Sequence, residues 1–131
     1  MKSVVVDTNI VSGLFRGESS VRDILQGFKS IYVPLPVLGE LLFGFALGRR
    51  EAENRRRLDQ FLSQSSVELC PMSPYTAEYY AVLMAALRKN GTPLPTNDVW
   101  IAAVACAEKV PLISRDSHFT KVHGLQLIIP E

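Results

Sequence analysis

The sequence of 131 residues contains little cysteine and almost no net charge. Its two cysteines, Cys70 and Cys106, stand among apolar residues, and no Cys/His spacing matches a zinc site. These absences disfavour a secreted disulfide scaffold and a zinc module, and they favour buried thiols in a reducing cytoplasm. Fourteen basic and thirteen acidic residues leave a net charge of +1. Overall charge therefore neither predicts nor excludes a nucleic-acid partner.

The sequence also lacks a long hydrophobic run. Its longest apolar stretch, residues 33–48, is interrupted by Pro34, Pro36, Gly39 and Glu40, which disfavours a membrane span. The first three residues lead directly into Val4, which leaves too little room for a signal peptide. Apolar residues make up 47% of the chain and charged residues 21%, as in soluble globular proteins. We expect one cytoplasmic domain that spans residues 1–131.

Short apolar segments alternate with segments of helical periodicity along the whole chain. The first, Val4 to Val6, is entirely apolar, as expected for a strand that is covered on both faces. The alternation predicts an α/β sandwich with a central, mainly parallel sheet of four to five strands flanked by helices. We predict strands near residues 4–6, 31–33, 67–70, 110–114 and 125–129, and helices near 8–15, 20–28, 37–47, 51–63, 74–90 and 97–109.

Four acidic residues are expected at one edge of this sheet. Asp7 ends the first strand and Asp116 follows the strand near residues 110–114. Asp98 and Glu40 lie near the starts of helices, and a helix that feeds a parallel strand begins at the edge where strands end. Clustered carboxylates repel one another, and a divalent cation relieves that repulsion. Oxygen donors without a suitable cysteine or histidine favour Mg²⁺ or Mn²⁺.

Each acid also has a purely structural interpretation. Asp7 and Asp98 suit helix caps, which contribute about 1 kcal/mol each. Asp116 suits a turn after a strand. Glu40 is harder to explain in this way, because its neighbours in the sequence are apolar.

Four sequence motifs, taken in order, resemble those of the PIN-domain nucleases, and most closely the VapC-type toxins of toxin–antitoxin pairs. The motifs are Val5-Val6-Asp7-Thr8-Asn9, Glu40 within Leu38-Gly39-Glu40-Leu41-Leu42, Asn97-Asp98-Val99-Trp100-Ile101-Ala102-Ala103 and Leu112-Ile113-Ser114-Arg115-Asp116. The resemblance implies a PIN-like sandwich and a metal-dependent endoribonuclease that an antitoxin inhibits. It also implies a homodimer.

The resemblance assigns catalytic roles to Asp7, Glu40, Asp98 and Asp116. We expect three of them, Asp7, Asp98 and Asp116, to bind Mg²⁺, with Mn²⁺ as a substitute, directly or through water. Glu40 is either a fourth ligand or the group that orients the attacking water. Three small polar residues are expected to support the acids: Thr8, Asn9 and Ser114.

Several other side chains have two open interpretations. Arg115 is expected either to contact the RNA substrate or to pair with a site carboxylate. The arginines near residues 49–57 suit RNA phosphates or a solvated helix face with an Arg55–Asp59 pair. We expect structural or surface roles for His118 and His123, and helix packing for Trp100. An apolar stripe at helical spacing, together with Phe43 and Phe45, predicts the homodimer interface: Tyr79, Val82, Leu83, Ala86 and Leu87.

Other function classes remain open from the sequence. A phosphatase with an aspartyl nucleophile would need a second aspartate at the position of Asn9. A non-catalytic module that binds RNA or protein would not need four acids. A DNA-cleaving 5′-nuclease would need longer insertions to thread a strand. We expect an antitoxin partner whose flexible segment places an Arg or Lys among the carboxylates, because clustered acids attract a cation.

Overall fold

The computed structural model describes residues 2–131. Its five parallel strands lie in the order β3-β2-β1-β4-β5, and six α-helices flank them, which confirms the predicted α/β sandwich. The strands are β1 (Ser3–Val6), β2 (Ser30–Pro34), β3 (Val67–Cys70), β4 (Leu112–Ile113) and β5 (Leu127–Ile128). The helices are α1 (Thr8–Phe15), α2 (Ser19–Gln26), α3 (Leu35–Leu47), α4 (Glu51–Leu62), α5 (Pro74–Lys89) and α6 (Thr96–Glu108), with a 3₁₀ helix at Ser117–Lys121.

Strand β1 occupies the centre of the sheet. Val4 pairs with Ile31 of β2, and Val6 pairs with Ile113 of β4. Residues 4–6 are completely buried, as their unbroken apolar sequence predicts. The residue that follows β1, Asp7, is therefore held at the middle of the carboxyl edge.

Helix α3 starts earlier than the sequence-based expectation because proline is tolerated early in a helix. Helix α3 begins at Leu35, with Pro36 inside its first turn, rather than at residue 37. Proline has no N–H group, and the first helical turn leaves its N–H groups unpaired in any case. Strands β4 and β5 have only two residues each, shorter than the predicted 110–114 and 125–129.

Helix α6 carries one of the acids, Asp98, in its first turn. It begins at Thr96, and Pro95 occupies the capping position, so Asp98 lies in the first turn and is not the helix cap. The helix is buried along most of its length, from Val99 to Ala105, and packs against β1 and α5. No helix within residues 2–131 has the length and apolar character that a membrane crossing requires.

The predicted apolar stripe of α5 is divided between the core and the surface. Leu83 and Leu87 are buried within the protein, whereas Val82 is 66% exposed. Phe43 on α3 is also 66% exposed, while Phe45 is partly buried. The stripe as a whole therefore does not form a free surface, which corrects part of the argument for a dimer.

Candidate active site

The carboxyl edge of the sheet carries the four predicted acids. Asp7 follows β1 and is only 5% exposed, and Asp116 lies just beyond β4. Asp98 projects from the start of α6, and Glu40 lies in the first half of α3. The charges of the other three acids each raise the pKa of Asp98. The structure thus brings together four residues that are far apart in the sequence; we call this group the acidic rim.

Asp7 is held on both of its carboxylate oxygens. Oδ2 accepts a hydrogen bond from Ser114 Oγ at 2.6 Å and one from Asn9 Nδ2 at 3.3 Å. Oδ1 accepts the backbone N–H of Thr8 at 2.8 Å, so Asp7 also caps α1. Burial raises the pKa of Asp7, although the Ser114 and Thr8 hydrogen bonds oppose it. The cap and the site acid are one and the same residue.

Ser114 connects two acids. It is completely buried, and its Oγ accepts the backbone N–H of Asp116 at 3.0 Å while it donates to Asp7. Asn9 Nδ2 also donates to this oxygen at 3.3 Å, and Asn9 Oδ1 accepts the backbone N–H of Arg115 at 3.1 Å. Ser114 and Asn9 therefore fix the segment after β4 against the start of α1.

Glu40 is held by the N-terminal ends of two helices. Thr8 Oγ1 donates to Oε1, and Asn97 Nδ2 donates to Oε2 at 3.4 Å. Thr8 was predicted as a supporting residue, whereas Asn97 was not assigned a role. Its position immediately before Asp98 was the only available signal, because the partner Glu40 lies on a different helix.

Asp98 is the acid whose charge is least compensated. Partial burial and the charges of Asp7, Asp116 and Glu40 raise its pKa to about 6. A nearby histidine, His118, lowers that pKa only slightly in comparison. A carboxyl group in this state binds a proton or a cation readily near neutral pH.

The side chain of His118 is 68% exposed and contacts the rim at Asp116. Its Nδ1 is 2.7 Å from Asp116 Oδ1, and its backbone N–H donates to the same oxygen at 2.9 Å. Asp116 thereby caps the 3₁₀ helix that contains His118.

Arg115 pairs with an acid outside the rim. Its Nη1 lies 2.5 Å from Oε1 of Glu18, a residue between α1 and α2 to which the sequence assigned no role. Arg16 Nη2 and Nε approach the other oxygen of Glu18 at 2.8 and 2.9 Å. The hydrogen bonds from Arg115 and Arg16 hold the pKa of Glu18 below its ordinary value. The predicted pairing of Arg115 with a rim carboxylate is therefore not formed.

Comparison with known proteins identifies the family of this fold. The PIN domain family matches residues 4–125, which is nearly the whole chain. The chain belongs to the PIN domain family. VapC ribonuclease Y4jK of Sinorhizobium fredii is 29% identical over 97% of this chain and 96% of that protein. Ribonuclease VapC2 of Rickettsia felis is 29% identical over 80% of this chain and 78% of that protein.

A solved structure agrees with these relatives. One chain in the crystal structure of VapBC2 from Rickettsia felis, bound to a DNA fragment from their promoter, superposes on this PIN domain with a TM-score of 0.88. The two chains are 27% identical, and the match covers 98% of this chain and 99% of that chain. The resemblance noted in the motifs therefore extends to the whole fold.

The rim of this PIN domain has a suitable donor set for a hard cation but does not enclose one in this geometry. Carboxylate oxygens are the ligands that Mg²⁺ and Mn²⁺ prefer. Within residues 2–131, no three His, Cys, Asp or Glu side chains are arranged so that they could hold one metal ion. Glu40 is instead turned to Thr8 and Asn97, and Asp116 to His118. The carboxylates therefore lie near one another, but their oxygens do not point to a common position.

Other predicted features lie away from the acids. The arginines of α4 are exposed, but Arg55 and Asp59 do not form the expected ion pair. Arg57 instead donates to the carbonyl oxygen of Phe15, and its guanidinium lies 5.1 Å from the centroid of that ring. Trp100 stacks on Tyr80 of α5, with 4.0 Å between the ring centroids, which confirms its predicted role in helix packing.

Proposed function

We propose that this PIN domain is an endoribonuclease and the toxin of a toxin–antitoxin pair. The observation that carries the proposal is the acidic rim, in which burial and like charge raise the pKa of Asp98 to about 6. Relatives along nearly the full length are named ribonucleases, and the structural neighbour with a TM-score of 0.88 comes from a VapBC complex. The geometry and the comparisons therefore support the same activity.

We further propose that the rim acts with Mg²⁺, for which Mn²⁺ can substitute. Asp7, Asp98 and Asp116 would hold the cation directly or through water, and the mutual repulsion of these acids supports this assignment. When bound, a divalent cation lowers the pKa of a water molecule and neutralises charge on the phosphate. Because Asp116 is turned to His118, loading of the site would require a change of that contact or an intervening water.

The protein's own groups would orient the reaction. Ser114 and the N–H of Thr8 keep Asp7 in one position, so its orientation need not be established during each turnover. Thr8 and Asn97 hold Glu40 within the acidic rim, where its carboxylate would orient the attacking water. In-line attack by water would leave a 5′-phosphate and a 3′-hydroxyl on the RNA.

The alternative enzyme class receives no support from the site. An aspartyl phosphatase would need a second carboxylate where this chain has Asn9. Asn9 is already committed, since its amide nitrogen donates to Asp7 and Ser114 and its oxygen accepts from Arg115. Its amide holds the site together and offers no acid for such a reaction.

An antitoxin is the partner that the rim fits best. Four clustered acids attract a cation, and a guanidinium binds carboxylates in a planar fork. An Arg or Lys from the antitoxin would therefore occupy the rim and exclude both metal and phosphate. Retention of full nuclease activity by the purified complex would contradict this mode of inhibition. An RNA substrate and two unpaired cysteines, Cys70 and Cys106, support a cytoplasmic location.

The homodimer remains a proposal, supported by apolar side chains left at the surface. Phe43 and Leu47 on α3 are 66% and 74% exposed, and Val82 on α5 is 66% exposed. Phe43 and Leu47 lie one helical turn apart, and contiguous apolar surface of this kind is typical of an interface. Light scattering of the free protein should give twice the chain mass, and Phe43→Ser should lower it. A mass equal to one chain at every concentration would contradict the dimer.

Cleavage of RNA by the purified protein tests the main proposal. Structured and unstructured RNAs should be cut in the presence of Mg²⁺, with 5′-phosphate ends, and chelator should stop the reaction. Asp98→Asn is the inactive control, and Asp23→Asn on the exposed face of α2 is the matched control that should remain active. Co-purification with the product of an adjacent reading frame would test the toxin role separately.

A further inference from the structure

Arg115 is the only residue between two members of the site, Ser114 and Asp116, and its own side chain points elsewhere. Its guanidinium is bound to Glu18, in the connection between α1 and α2, at 2.5 Å. Both side chains are about 30% exposed, so the pair is partly shielded from water. The arginine that is adjacent in sequence to the chemistry is therefore anchored to a different part of the fold.

The backbone of Arg115 is anchored as well. Its N–H donates to Asn9 Oδ1 at 3.1 Å, while the N–H of Asp116 donates to Ser114 Oγ at 3.0 Å. The segment after β4 is thus fixed at its main chain by α1 and at the Arg115 side chain by Glu18. A segment held at three points has little freedom to move Asp116 relative to Asp7.

A glycine makes room for this ion pair. Gly13 is buried in α1, and a Cβ added there would meet Glu18 Oε1 at 3.1 Å and Arg115 Nη1 at 3.3 Å. Such a Cβ would also meet Val21 Cγ2 at 3.3 Å. Because Gly13 has no side chain, the charged pair can lie directly on α1. Glycine within a helix costs about 1 kcal/mol of stability relative to alanine.

We propose that Arg115 and Glu18 are positioning residues, which set the place of Asp116 in the acidic rim through their ion pair. In this role Arg115 acts through the main chain of its own segment and not by contact with RNA phosphate. The inference rests on the proposed ribonuclease function for its kinetic consequence, but its structural content is independent of that function.

The two possible roles of Arg115 predict opposite behaviour for Glu18→Gln. If Arg115 is a positioning residue, Glu18→Gln and Arg115→Ala both loosen the segment, and the double variant is no worse than either single one. If Arg115 binds substrate, Glu18→Gln frees its guanidinium and leaves the KM for RNA unchanged or lower, while Arg115→Ala raises it.

The first measurement needs neither metal nor RNA. Amide hydrogen exchange by NMR on the full chain, with chelator present, reports the N–H groups of Arg115 and Asp116. We expect exchange at both to be at least about tenfold faster in Glu18→Gln and Arg115→Ala, with the amides of β1 unchanged. Asp23→Asn, which removes a carboxylate from the more exposed pair with Arg22, is the matched control and should change neither amide.

The second measurement uses Mn²⁺ alone and then RNA. Loss of a residue that supports a metal ligand typically weakens metal binding at least tenfold, so we expect a roughly tenfold higher Kd for Mn²⁺ in both variants. The kcat for RNA should fall with it, while KM stays within about twofold of wild type. Gly13→Ala should give a smaller change of the same kind, with Gly44→Ala, where an added Cβ meets nothing, as its control.

The outcomes separate this inference from the proposed function. Unchanged amide exchange and unchanged Mn²⁺ affinity in Glu18→Gln and Arg115→Ala would overturn the positioning role, as would a raised KM in Arg115→Ala alone. If the wild-type protein binds Mn²⁺ but cleaves no RNA, the ribonuclease proposal fails. The exchange and metal data would still decide the role of the Arg115–Glu18 pair.

Discussion

Two groups of charged residues lie side by side in this fold and are balanced in opposite ways. The first is the acidic rim, where burial and like charge raise the pKa of Asp98 to about 6. The second is the cluster of Glu18, Arg16 and Arg115, where two guanidinium groups hold the pKa of Glu18 below its ordinary value. Arg115 stands between them in the sequence, one residue before Asp116, yet its side chain belongs to the second group.

The comparison distinguishes carboxylates that lack a positively charged partner, in the acidic rim, from a carboxylate that is already paired, Glu18. Two guanidinium groups already pair with Glu18, so this cluster carries a net positive charge and has little to gain from a further cation. The rim holds carboxylates that destabilise one another until a proton, a metal ion or a guanidinium joins them. Repulsion that is retained in a cleft is typical of a functional site, because selection for stability alone would remove it.

The largest expected effect comes from removal of one rim charge. Asp98→Asn should reduce RNA cleavage on the order of a thousandfold or more, because one ligand and its charge are lost. Asp7→Asn should do the same. Neither variant should lose its fold, since each relieves repulsion in the metal-free protein. A chain that fails to fold after Asp98→Asn would show that the acid is structural.

Metal binding should stabilise the rim by a measurable amount. Binding to the folded state alone contributes about 2.7 kcal/mol when Mn²⁺ exceeds its Kd by roughly a hundredfold. For a domain of this size, that corresponds to a rise in Tm on the order of 5–10 °C. The shift should be smaller in Asp98→Asn, nearly absent in Asp7→Asn/Asp98→Asn, and retained in Asp23→Asn. An unchanged Tm at millimolar Mn²⁺ would contradict the proposed metal site.

The pH dependence of stability should reveal the repulsion without any metal. Because folding raises the pKa of Asp98 from 3.8 to about 6, the folded state binds the proton more tightly. Its stability should therefore fall as pH rises from about 4 to about 6. With allowance for solvent contact, Asp98→Asn should gain on the order of 1 kcal/mol near pH 7 and flatten this slope. Denaturant unfolding in chelator, across pH 4 to 8, measures both curves.

The smallest expected effect belongs to Glu18. Its pKa is lowered on folding, so its contribution to stability is present above its unfolded pKa and is lost as pH falls through the folded one. Glu18→Gln should therefore be slightly less stable than wild type near neutral pH and equal to it in acid. High salt should reduce the difference, because the pair is partly exposed. A Glu18→Gln protein that is more stable at neutral pH would reverse the comparison between the two clusters.

Much of the fold and of the site followed from the sequence. The unbroken apolar run of β1 predicted a central buried strand, and the alternation of strands and helices predicted a parallel sheet. That topology alone brings Asp7, Asp98 and Asp116 to one edge, because every parallel strand ends there and a helix that leads into a parallel strand begins there. Pro74 and Gly91 also marked the ends of α5 correctly, since one fixes φ at a helix start and the other adopts a φ of +71° just beyond its end.

Only the tertiary structure decided which side chains pair with one another. The contacts of Glu40 with Asn97 and of Glu18 with Arg115 join side chains of separate elements, and their formation depends on how those elements pack. Hydrophobic spacing likewise marked an apolar stripe on α5 but could not show that Leu83 and Leu87 face the core while Val82 faces water. Periodicity reports that a helix has an apolar face, and only packing determines what covers it, because the same pattern suits a core and an interface equally well.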